Sequence, residues 1–240
     1  MRVERDGAVA VVRLDRDEKL NAISTAVERE LHDALASDEV RSGRALVVTG
    51  EGRAFSAGAD ITEFADRDPA AILRYYRETG GIYEEFAALP QPTIAAIRGY
   101  CLGGGLELAL AADFRIAEEG ASLGFPEVGI GILPSSGGTL RATRLLGPAR
   151  AKQLILLGDR VTAADALAAG LVTEVASDAL ARALELAHRL AELPPVAVAV
   201  AKAAIDASPD ASREAALLIE RLAYGLLAQT GEARDAADGF

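Results

Sequence analysis

The sequence predicts an α/β fold in which a core of alternating strands and helices is followed by a helical C-terminal part. Up to about residue 137, short β-branched runs alternate with amphipathic helix patterns, which is typical of a parallel sheet covered by helices. From about Gly138 onwards, almost every pattern is helical. The 240 residues are 50% hydrophobic and 25% charged, so the chain can bury a core without disulfides or metals.

The first strand and the first helix have defined boundaries. Val9–Leu14 is a β-branched run between Gly7 and a charged turn at residues 15–18, which favours a strand. Thr25 and Glu28 have the spacing of a capping box, so a helix is predicted to begin at Thr25. The apolar residues of this helix recur at helical spacing and are Val27, Leu31, Ala34 and Leu35.

The remainder of the first half continues the alternation. Ala45–Thr49 is predicted to be a short buried strand. A long helix is predicted over residues 69–89, with a break at Gly80-Gly81 and a stop at Pro90. A strand, a helix and another strand follow, at Thr93–Ile97, Leu106–Ala112 and Phe114–Ala117.

The second half is predicted to be helical except for one strand. Pro148 suits the first turn of a helix, which separates two helices at this point, and Gly170 closes a short helix that begins at Thr162. The predicted elements are helices at Thr139–Leu146, Pro148–Leu157 and residues 162–170, a strand at Leu171–Val175, and helices at Ala179–Glu192, Pro195–Ala207 and Ser212–Gln229. We therefore expect an α/β core over residues 1–175 and a C-terminal helical region over residues 176–240.

Charge and cysteine content argue against several classes of protein. The 25 Lys and Arg residues are outnumbered by 36 Asp and Glu residues, which gives a net charge of −11. This acidity argues against a nucleic-acid partner and against binding to an anionic membrane surface. No apolar leader is visible at the N-terminus, and no apolar run reaches the roughly 20 residues of a membrane span. With the single Cys101, these features predict a cytoplasmic protein.

Catalytic motifs that depend on His, Cys or metals are missing from the sequence. There is no phosphate-binding P-loop, no H-E-x-x-H zinc motif and no G-x-S-x-G nucleophile motif. One Cys and two His cannot form a Cys/His zinc site, so no metal is predicted. His32 and His188 are interpreted as helix residues without a catalytic role. Any catalytic chemistry is therefore expected to use carboxylates and backbone amides.

Two segments rich in small residues could bring backbone amides to a ligand. Arg53–Ile61 and Gly99–Asp113 each follow a strand and lead into a helix. N–H groups at the start of a helix lack partners within it and favour negative charge. Two such amides from separate loops could form an oxyanion hole. The alternative is that the glycines only form tight turns that pack helix against sheet.

Two glutamates lie in apolar surroundings. Glu107 belongs to the run Leu106–Ala112, and Glu127 belongs to a Gly- and Pro-rich apolar segment at residues 123–134. Burying a carboxylate is unfavourable unless it is paired or used, so both are candidate acids or bases. The alternatives are a helix-dipole interaction for Glu107 and a turn-capping role for Glu127. Only the fold could bring them together, because they cannot share one helix face.

Several motifs, in the same order along nearly the whole chain, resemble those of the crotonase superfamily, also called the enoyl-CoA hydratase/isomerase superfamily. The matching segments are Lys19–Ala22, Ala54–Ile61, Gly99–Asp113, Pro126-Glu127 with Gly137–Thr139, and Thr162–Val172. The resemblance implies a spiral of strand-strand-helix turns with a C-terminal helical trimerisation region. It also implies assembly into a homotrimer or into a hexamer built as a dimer of trimers.

The resemblance further implies an acyl-CoA substrate and roles for individual residues. The amides of Ala59 and Gly104 would bind the thioester oxygen, Glu107 would deprotonate the attacking water, and Glu127 would protonate C2 of a 2-enoyl-CoA. No separate cofactor is implied, because coenzyme A is part of the substrate. Further substrate contacts are implied at Lys19, Leu20, Ala57, Asp60, Ile61, Gly103, Pro126 and Ser135.

Three features depart from the pattern of the family. Ser135-Ser136 follows Pro134 where hydratases commonly have glycine, so contacts to Glu127 or to the water are expected to differ. The chain ends at Asp238–Phe240 without a basic tail, which predicts weaker contacts to the CoA phosphates. Four aromatic residues in the variable acyl-pocket region either restrict acyl length or only pack the helix. These residues are Phe64, Tyr75, Tyr76 and Tyr83.

Other functions stay compatible with the same residues. A Δ3–Δ2 enoyl-CoA isomerase can work with one carboxylate, and a paralogue could act on an aromatic or branched acyl-CoA. The chain could also be an acyl-CoA-binding protein with little turnover. RNA binding is disfavoured by the net charge and by an aromatic content of 5%.

Overall fold

The computed structural model describes residues 1–63, 68–78 and 81–233. Its strands are β1 Arg2–Asp6, β2 Val9–Leu14, β3 Ala45–Gly50, β4 Ala54–Ser56, β5 Thr93–Ile97, β6 Tyr100–Leu102, β7 Phe114–Glu118, β8 Ser122–Gly124, β9 Val161–Thr162 and β10 Glu174–Ala176. Its helices are α1 Thr25–Ala36, α2 Asp38–Arg41, α3 Pro69–Glu78, α4 Ile82–Ala87, α5 Gly104–Ala111, α6 Gly138–Leu157, α7 Ala163–Ala169, α8 Ala179–Ala191, α9 Pro195–Ala207 and α10 Arg213–Leu227.

Two sheets organise the core. The larger sheet has the strand order β1-β2-β3-β5-β7-β10, in which only β1 runs antiparallel to its neighbour. The smaller sheet has the order β4-β6-β8-β9, with β9 antiparallel to β8. From β3 to β8, successive strands alternate between the two sheets, and a helical segment follows each pair. The predicted spiral of strand-strand-helix turns is therefore confirmed.

The centre of the larger sheet is buried on both faces. All residues of β3 and β5 are buried, which explains why these strands are continuous apolar runs in the sequence. Side chains alternate across a strand, so Leu46 and Val48 face one side while Ala45 and Val47 face the other. α8 covers the second side through a stripe of alanines that allows close packing. The stripe consists of Ala179, Ala183, Ala187 and Ala191.

The C-terminal helices differ in how they contact the rest of the chain. α8 packs on β3, β5 and β7, whereas α9 and α10 contact each other and contain no buried residue. A salt bridge from Lys202 Nζ to Asp113 Oδ2, 2.9 Å long, ties α9 to the start of β7. Residues 176–233 therefore contribute one helix to the core and two helices with largely exposed surfaces.

Most predicted helices are present at the predicted places. Of the predicted break at Gly80-Gly81, Gly80 lies outside the described residues; α3 ends at Glu78 and α4 begins at Ile82. The predicted boundary between two helices at Pro148 appears as a kink in α6, where Gly147 has a φ of +74°. The capping box at Thr25 is wrong by one residue, because Ser24 is the N-cap and its Oγ accepts from the Val27 N–H at 3.3 Å. Glu28 is consequently turned into the interior.

The last predicted strand is misplaced. Leu171 and Val172 are buried, but their N–H groups donate to the carbonyl of Ala166 in the middle of α7 instead of pairing in the sheet. The strand that pairs with β7 is β10, which begins at Glu174, three residues after the predicted start at Leu171. Among the described residues, no helix is both long and apolar enough to cross a membrane.

Candidate active site

Two loops meet where β4 and β6 end. These strands are parallel neighbours, so the segments that follow them leave the sheet at the same edge. A Cβ atom on Gly58 would lie 3.0 Å from the Leu102 carbonyl and 3.6 Å from the Gly104 nitrogen. A Cβ atom on Gly104 would lie 3.4 Å from the Ala59 nitrogen. The absence of side chains at these glycines therefore lets the two amides approach each other.

The amides of Ala59 and Gly104 are free to bind a ligand. Ile23 donates to the Gly58 carbonyl and accepts from the Asp60 N–H, both at 2.8 Å, so the Ala59 N–H between them points the other way. Gly104 is the first residue of α5, where an N–H has no partner within the helix. Within the described part of the chain, neither N–H has a hydrogen-bond partner. An oxyanion hole needs N–H donors that have no other partner, and these two amides meet that condition among the described residues.

Gly103 connects this amide pair to one of the glutamates. Its backbone has a φ of +50° and a ψ of −126°, which side-chain-bearing residues rarely adopt. A Cβ atom on Gly103 would lie 2.7 Å from Glu127 Oε1. Glycine at this position is therefore required both by the backbone and by the carboxyl group packed against it.

Glu107 lies in the first turn of α5 and is 3% exposed. Its Oε1 accepts from the Ser136 N–H at 2.7 Å and from the Gly138 N–H at 2.8 Å. Burial raises the pKa of Glu107, while these two N–H donors and the charge of Arg141 oppose that rise. The carboxyl is thus fixed through one oxygen, and no hydrogen bond to its other oxygen is seen among the described residues.

Glu127 begins a short 3₁₀ turn, Glu127–Ile130, just after β8 and is 9% exposed. Burial raises its pKa to about 7, and the nearby charge of Glu107 acts in the same direction. Its Oε2 is buried and has no hydrogen-bond partner in the described part of the chain. The fold therefore brings the two glutamates together, and it gives them different environments.

The stability of the protein should depend on pH through Glu127. Its folded-state pKa of about 7 lies above the ordinary 4.5, so between these values the folded chain binds more protons than the unfolded chain. The stabilisation is present below about pH 4.5 and is lost as the pH rises through 7. Glu127→Gln cannot ionise, so above pH 7 it should be more stable than the wild type, by at most about 3 kcal/mol.

Urea unfolding of both proteins at acidic and alkaline pH measures this difference. Glu119→Gln is the matched control, because Glu119 lies in an exposed turn between β7 and β8. An equal loss of stability with pH in the wild type and in Glu127→Gln would contradict the assignment.

Other predicted contact residues line the approach to the first loop. The Leu20 carbonyl accepts from the Ala57 N–H at 2.9 Å, and Lys19, immediately before it, is exposed. Arg16 donates to Asp60 Oδ2 at 3.1 Å, and Ile61 is 56% exposed. These contacts attach the segment that begins at Arg16 to the loop that carries the Ala59 amide.

The remaining predicted contacts lie beside the glutamates. Pro126 is exposed and precedes Glu127, and the exposed Ser135 accepts a hydrogen bond from the Tyr76 hydroxyl. Phe64 and Asp238–Phe240 lie outside the described residues.

Three tyrosines surround Glu107 from α3 and α4. Tyr75 donates to the buried carboxyl of Glu28, and the rings of Tyr75 and Tyr76 meet edge to face with centroids 4.9 Å apart. Tyr83 is 3% exposed, and its hydroxyl lies 3.5 Å from the place of a Cβ atom on Gly104. Burial raises the pKa values of all three phenols. Tyr75 and Tyr76 therefore form hydrogen bonds next to the site, and Tyr83 packs there as a buried side chain.

Sequence reasoning missed several of the residues that position the site. These features join separate elements, so no local pattern indicates them. They are the hydrogen bonds from Ser136 and Gly138 to Glu107, the contacts of Arg141 and the burial of Glu28.

No group of three or more His, Cys, Asp or Glu that could hold a metal occurs among the residues the structure describes. The two histidines contact carboxylates at the surface, namely Glu85 for His32 and Asp6 for His188.

Solved structures identify the fold class. The crystal structure of an enoyl-CoA hydratase from Thermoplasma volcanium superposes with a TM-score of 0.94 at 37% identity, covering 100% of this chain and 96% of that one. An enoyl-CoA hydratase from Bacillus anthracis gives a TM-score of 0.93 at 36% identity, covering 100% and 95%. The fold is thus that of the crotonase-type enzymes, as the sequence motifs predicted.

Sequence comparison identifies the family. A family model described as enoyl-CoA hydratase/isomerase matches residues 4–240. A short-chain-enoyl-CoA hydratase of Clostridium acetobutylicum is 36% identical, covering 99% of this chain and 93% of that protein. A 2,3-dehydroadipyl-CoA hydratase of Escherichia coli is 38% identical, covering 99% and 94%. The chain belongs to the enoyl-CoA hydratase/isomerase family of enzymes, which confirms the resemblance.

Proposed function

We propose that the protein is an enoyl-CoA hydratase that adds water across the C2=C3 double bond of a 2-enoyl-CoA thioester. The observation that carries this proposal is the pair of buried glutamates beside two backbone amides that have no hydrogen-bond partner among the described residues. The names of relatives that are 36–40% identical support it, since several are enoyl-CoA hydratases. No separate cofactor is needed, because water supplies both the hydroxyl group and the proton.

In this proposal the amides of Ala59 and Gly104 bind the thioester oxygen. When water attacks C3, negative charge develops on that oxygen as an enolate forms. A preorganised N–H donor is typically worth about 2.7–4 kcal/mol to such a transition state. The proximity of the two amides supports this role, and so does their lack of other partners in the part of the chain that the structure describes.

The two glutamates divide the proton transfers. Glu107 is anchored through Oε1, so Oε2 can take a proton from the water as its oxygen bonds to C3. Glu127, with a pKa of about 7, is partly protonated near neutral pH and can deliver a proton to C2. A proton then passes from Glu107 to Glu127 to restore the starting state. The net change is the addition of one water molecule.

A spectroscopic assay distinguishes hydration from isomerisation. With crotonyl-CoA, the conjugated-thioester absorbance should fall as water is added across the double bond. With a 3-enoyl-CoA, a Δ3–Δ2 isomerase would instead produce new conjugation. Tight acyl-CoA binding without turnover across a panel of chain lengths and double-bond positions would favour a binding protein and contradict the proposal.

Assembly into a homotrimer or a hexamer is part of the same proposal. α9 and α10 have no buried residue, and their apolar side chains are exposed, which is the state expected of a surface that packs against other subunits. The exposed apolar residues are Val196, Ile205, Leu218, Ile219, Leu222, Tyr224 and Leu226.

We also propose a cytoplasmic location, since the single cysteine is buried as a free thiol.

A further inference from the structure

Arg141 lies behind the loop that holds Glu107. Its Nη1 donates to the Ser136 carbonyl at 3.1 Å, and its Nη2 donates to Glu84 Oε1 at 2.6 Å. The Arg141 side chain is 13% exposed, although that of Glu84 is 70% exposed. The guanidinium of Arg141 in α6 therefore holds both Glu84 of α4 and the loop just before α6, which contains Ser136.

The loop is shaped around this guanidinium. Gly137 has a φ of +96°, and a Cβ atom there would lie 1.9 Å from Arg141 Nη1. The residues on either side of it, Ser136 and Gly138, provide the two N–H groups that bind Glu107 Oε1. The segment of residues 136–138 thus contacts both side chains. The Ser136 carbonyl accepts from Arg141, and the Ser136 and Gly138 N–H groups donate to Glu107.

We propose that Arg141, braced by Glu84, is a positioning residue that fixes the Ser136 and Gly138 amides so that Glu107 presents its second oxygen to the attacking water. The inference rests on the proposed hydratase function. Arg141 does not touch the reacting atoms in this account. It acts through the loop, and its positive charge also favours the ionised form of Glu107.

The charged and titratable groups around Glu107 make the effect of Arg141 measurable. Tyr75, Tyr76 and Tyr83 face Glu107 from α3 and α4, and Glu127 faces it from the turn after β8. The phenols have raised pKa values and stay neutral at ordinary pH, so their charge does not change there. The positive charge of Arg141 lowers the pKa of Glu107, so its loss should raise that pKa.

Substitutions at Arg141 test the inference, with Arg144→Gln as the matched control. Arg144 lies one turn further along α6 and forms a similar ion pair, with Asp210 at 2.6 and 2.7 Å. Arg141→Gln should lower kcat for crotonyl-CoA by about 10- to 100-fold, because the general base is misplaced. KM should stay nearly constant, and the acidic limb of the kcat profile should move to higher pH. Arg141→Lys retains the positive charge, so the acidic limb of its kcat profile should stay at the wild-type pH and part of the lost kcat should return.

Direct titration of the Glu107 carboxyl tests the role of Arg141 independently of the proposed hydratase activity. The carboxyl of Glu107 can be followed by NMR in protein labelled with carbon-13 glutamate, whether or not crotonyl-CoA is turned over. A higher Glu107 pKa in Arg141→Gln than in the wild type and Arg144→Gln supports the inference. An unchanged Glu107 pKa, or an equal loss of kcat in Arg144→Gln, would show that Arg141 only stabilises the fold. If Arg141→Gln does not fold, a kcat of Arg141→Lys equal to that of the wild type would overturn it.

Discussion

Replacing Glu107 or Glu127 by glutamine is expected to lower kcat for enoyl-CoA hydration by about 10²-fold or more in each case. Glutamine has nearly the same shape, and its side-chain oxygen can still accept the N–H groups of Ser136 and Gly138. It cannot take a proton from water or deliver one to C2. Because each step of the addition needs one of the two carboxyls, neither can fully replace the other.

Steady-state kinetics with crotonyl-CoA, together with thermal unfolding, tests this expectation. Glu119→Gln, in an exposed turn away from the site, is expected to retain wild-type turnover. Folded Glu107→Gln and Glu127→Gln proteins with wild-type turnover would show that the two-carboxyl mechanism is wrong.

Gly103→Ala is expected to have the second large effect, because it disturbs both halves of the site at once. The new methyl group would lie 2.7 Å from Glu127 Oε1 and would push that carboxyl away. The backbone, with a φ of +50° and a ψ of −126°, would have to change, which displaces the neighbouring Gly104 amide. Loss of one oxyanion donor alone costs about 10²–10³-fold in kcat, so a fall of at least this size is expected.

The control for Gly103→Ala separates backbone strain from damage to the site. Gly170 also has a positive φ, +80°, at the end of α7, and a Cβ atom there would have no neighbour within 4 Å. Gly170→Ala should therefore lose stability, by about 1–3 kcal/mol, and keep its kcat. If Gly103→Ala kept wild-type kcat, the amide of Gly104 would not be an oxyanion donor.

The fold could be predicted from the sequence where local patterns are long enough. The buried strands β3 and β5 and the amphipathic helix α8 each contain a run whose period or composition is unambiguous. The residue patterns did not indicate the strands of the smaller sheet, which only the family resemblance implied, because β4, β6 and β8 have three residues each and are defined by their neighbours. The start of α1 shows a related error, since Ser24 and Thr25 are both good caps and only the geometry selects Ser24.

The candidate site was located from the sequence, but its electrostatics could not be predicted. Glu107 and Glu127 both lie in apolar segments of the sequence, and no local pattern indicates that their hydrogen bonds or pKa values differ. Their environments differ because Glu107 receives amides 29 and 31 residues away, whereas Glu127 keeps a buried oxygen without a partner in the described chain. The contact of Arg141 with Ser136 likewise depends on the turn of the chain at Gly137.

The proposed reaction is the addition of water to an enoyl-CoA, with a proton transferred to C2. The most direct test is to incubate the wild-type protein with crotonyl-CoA in water labelled with oxygen-18 and deuterium, and to analyse the product by mass spectrometry and NMR. The expected product is a 3-hydroxyacyl-CoA that contains one labelled oxygen at C3 and one deuterium at C2. A product with the mass of an isomer and no labelled oxygen, or no turnover of crotonyl-CoA or any other 2-enoyl-CoA, would contradict it.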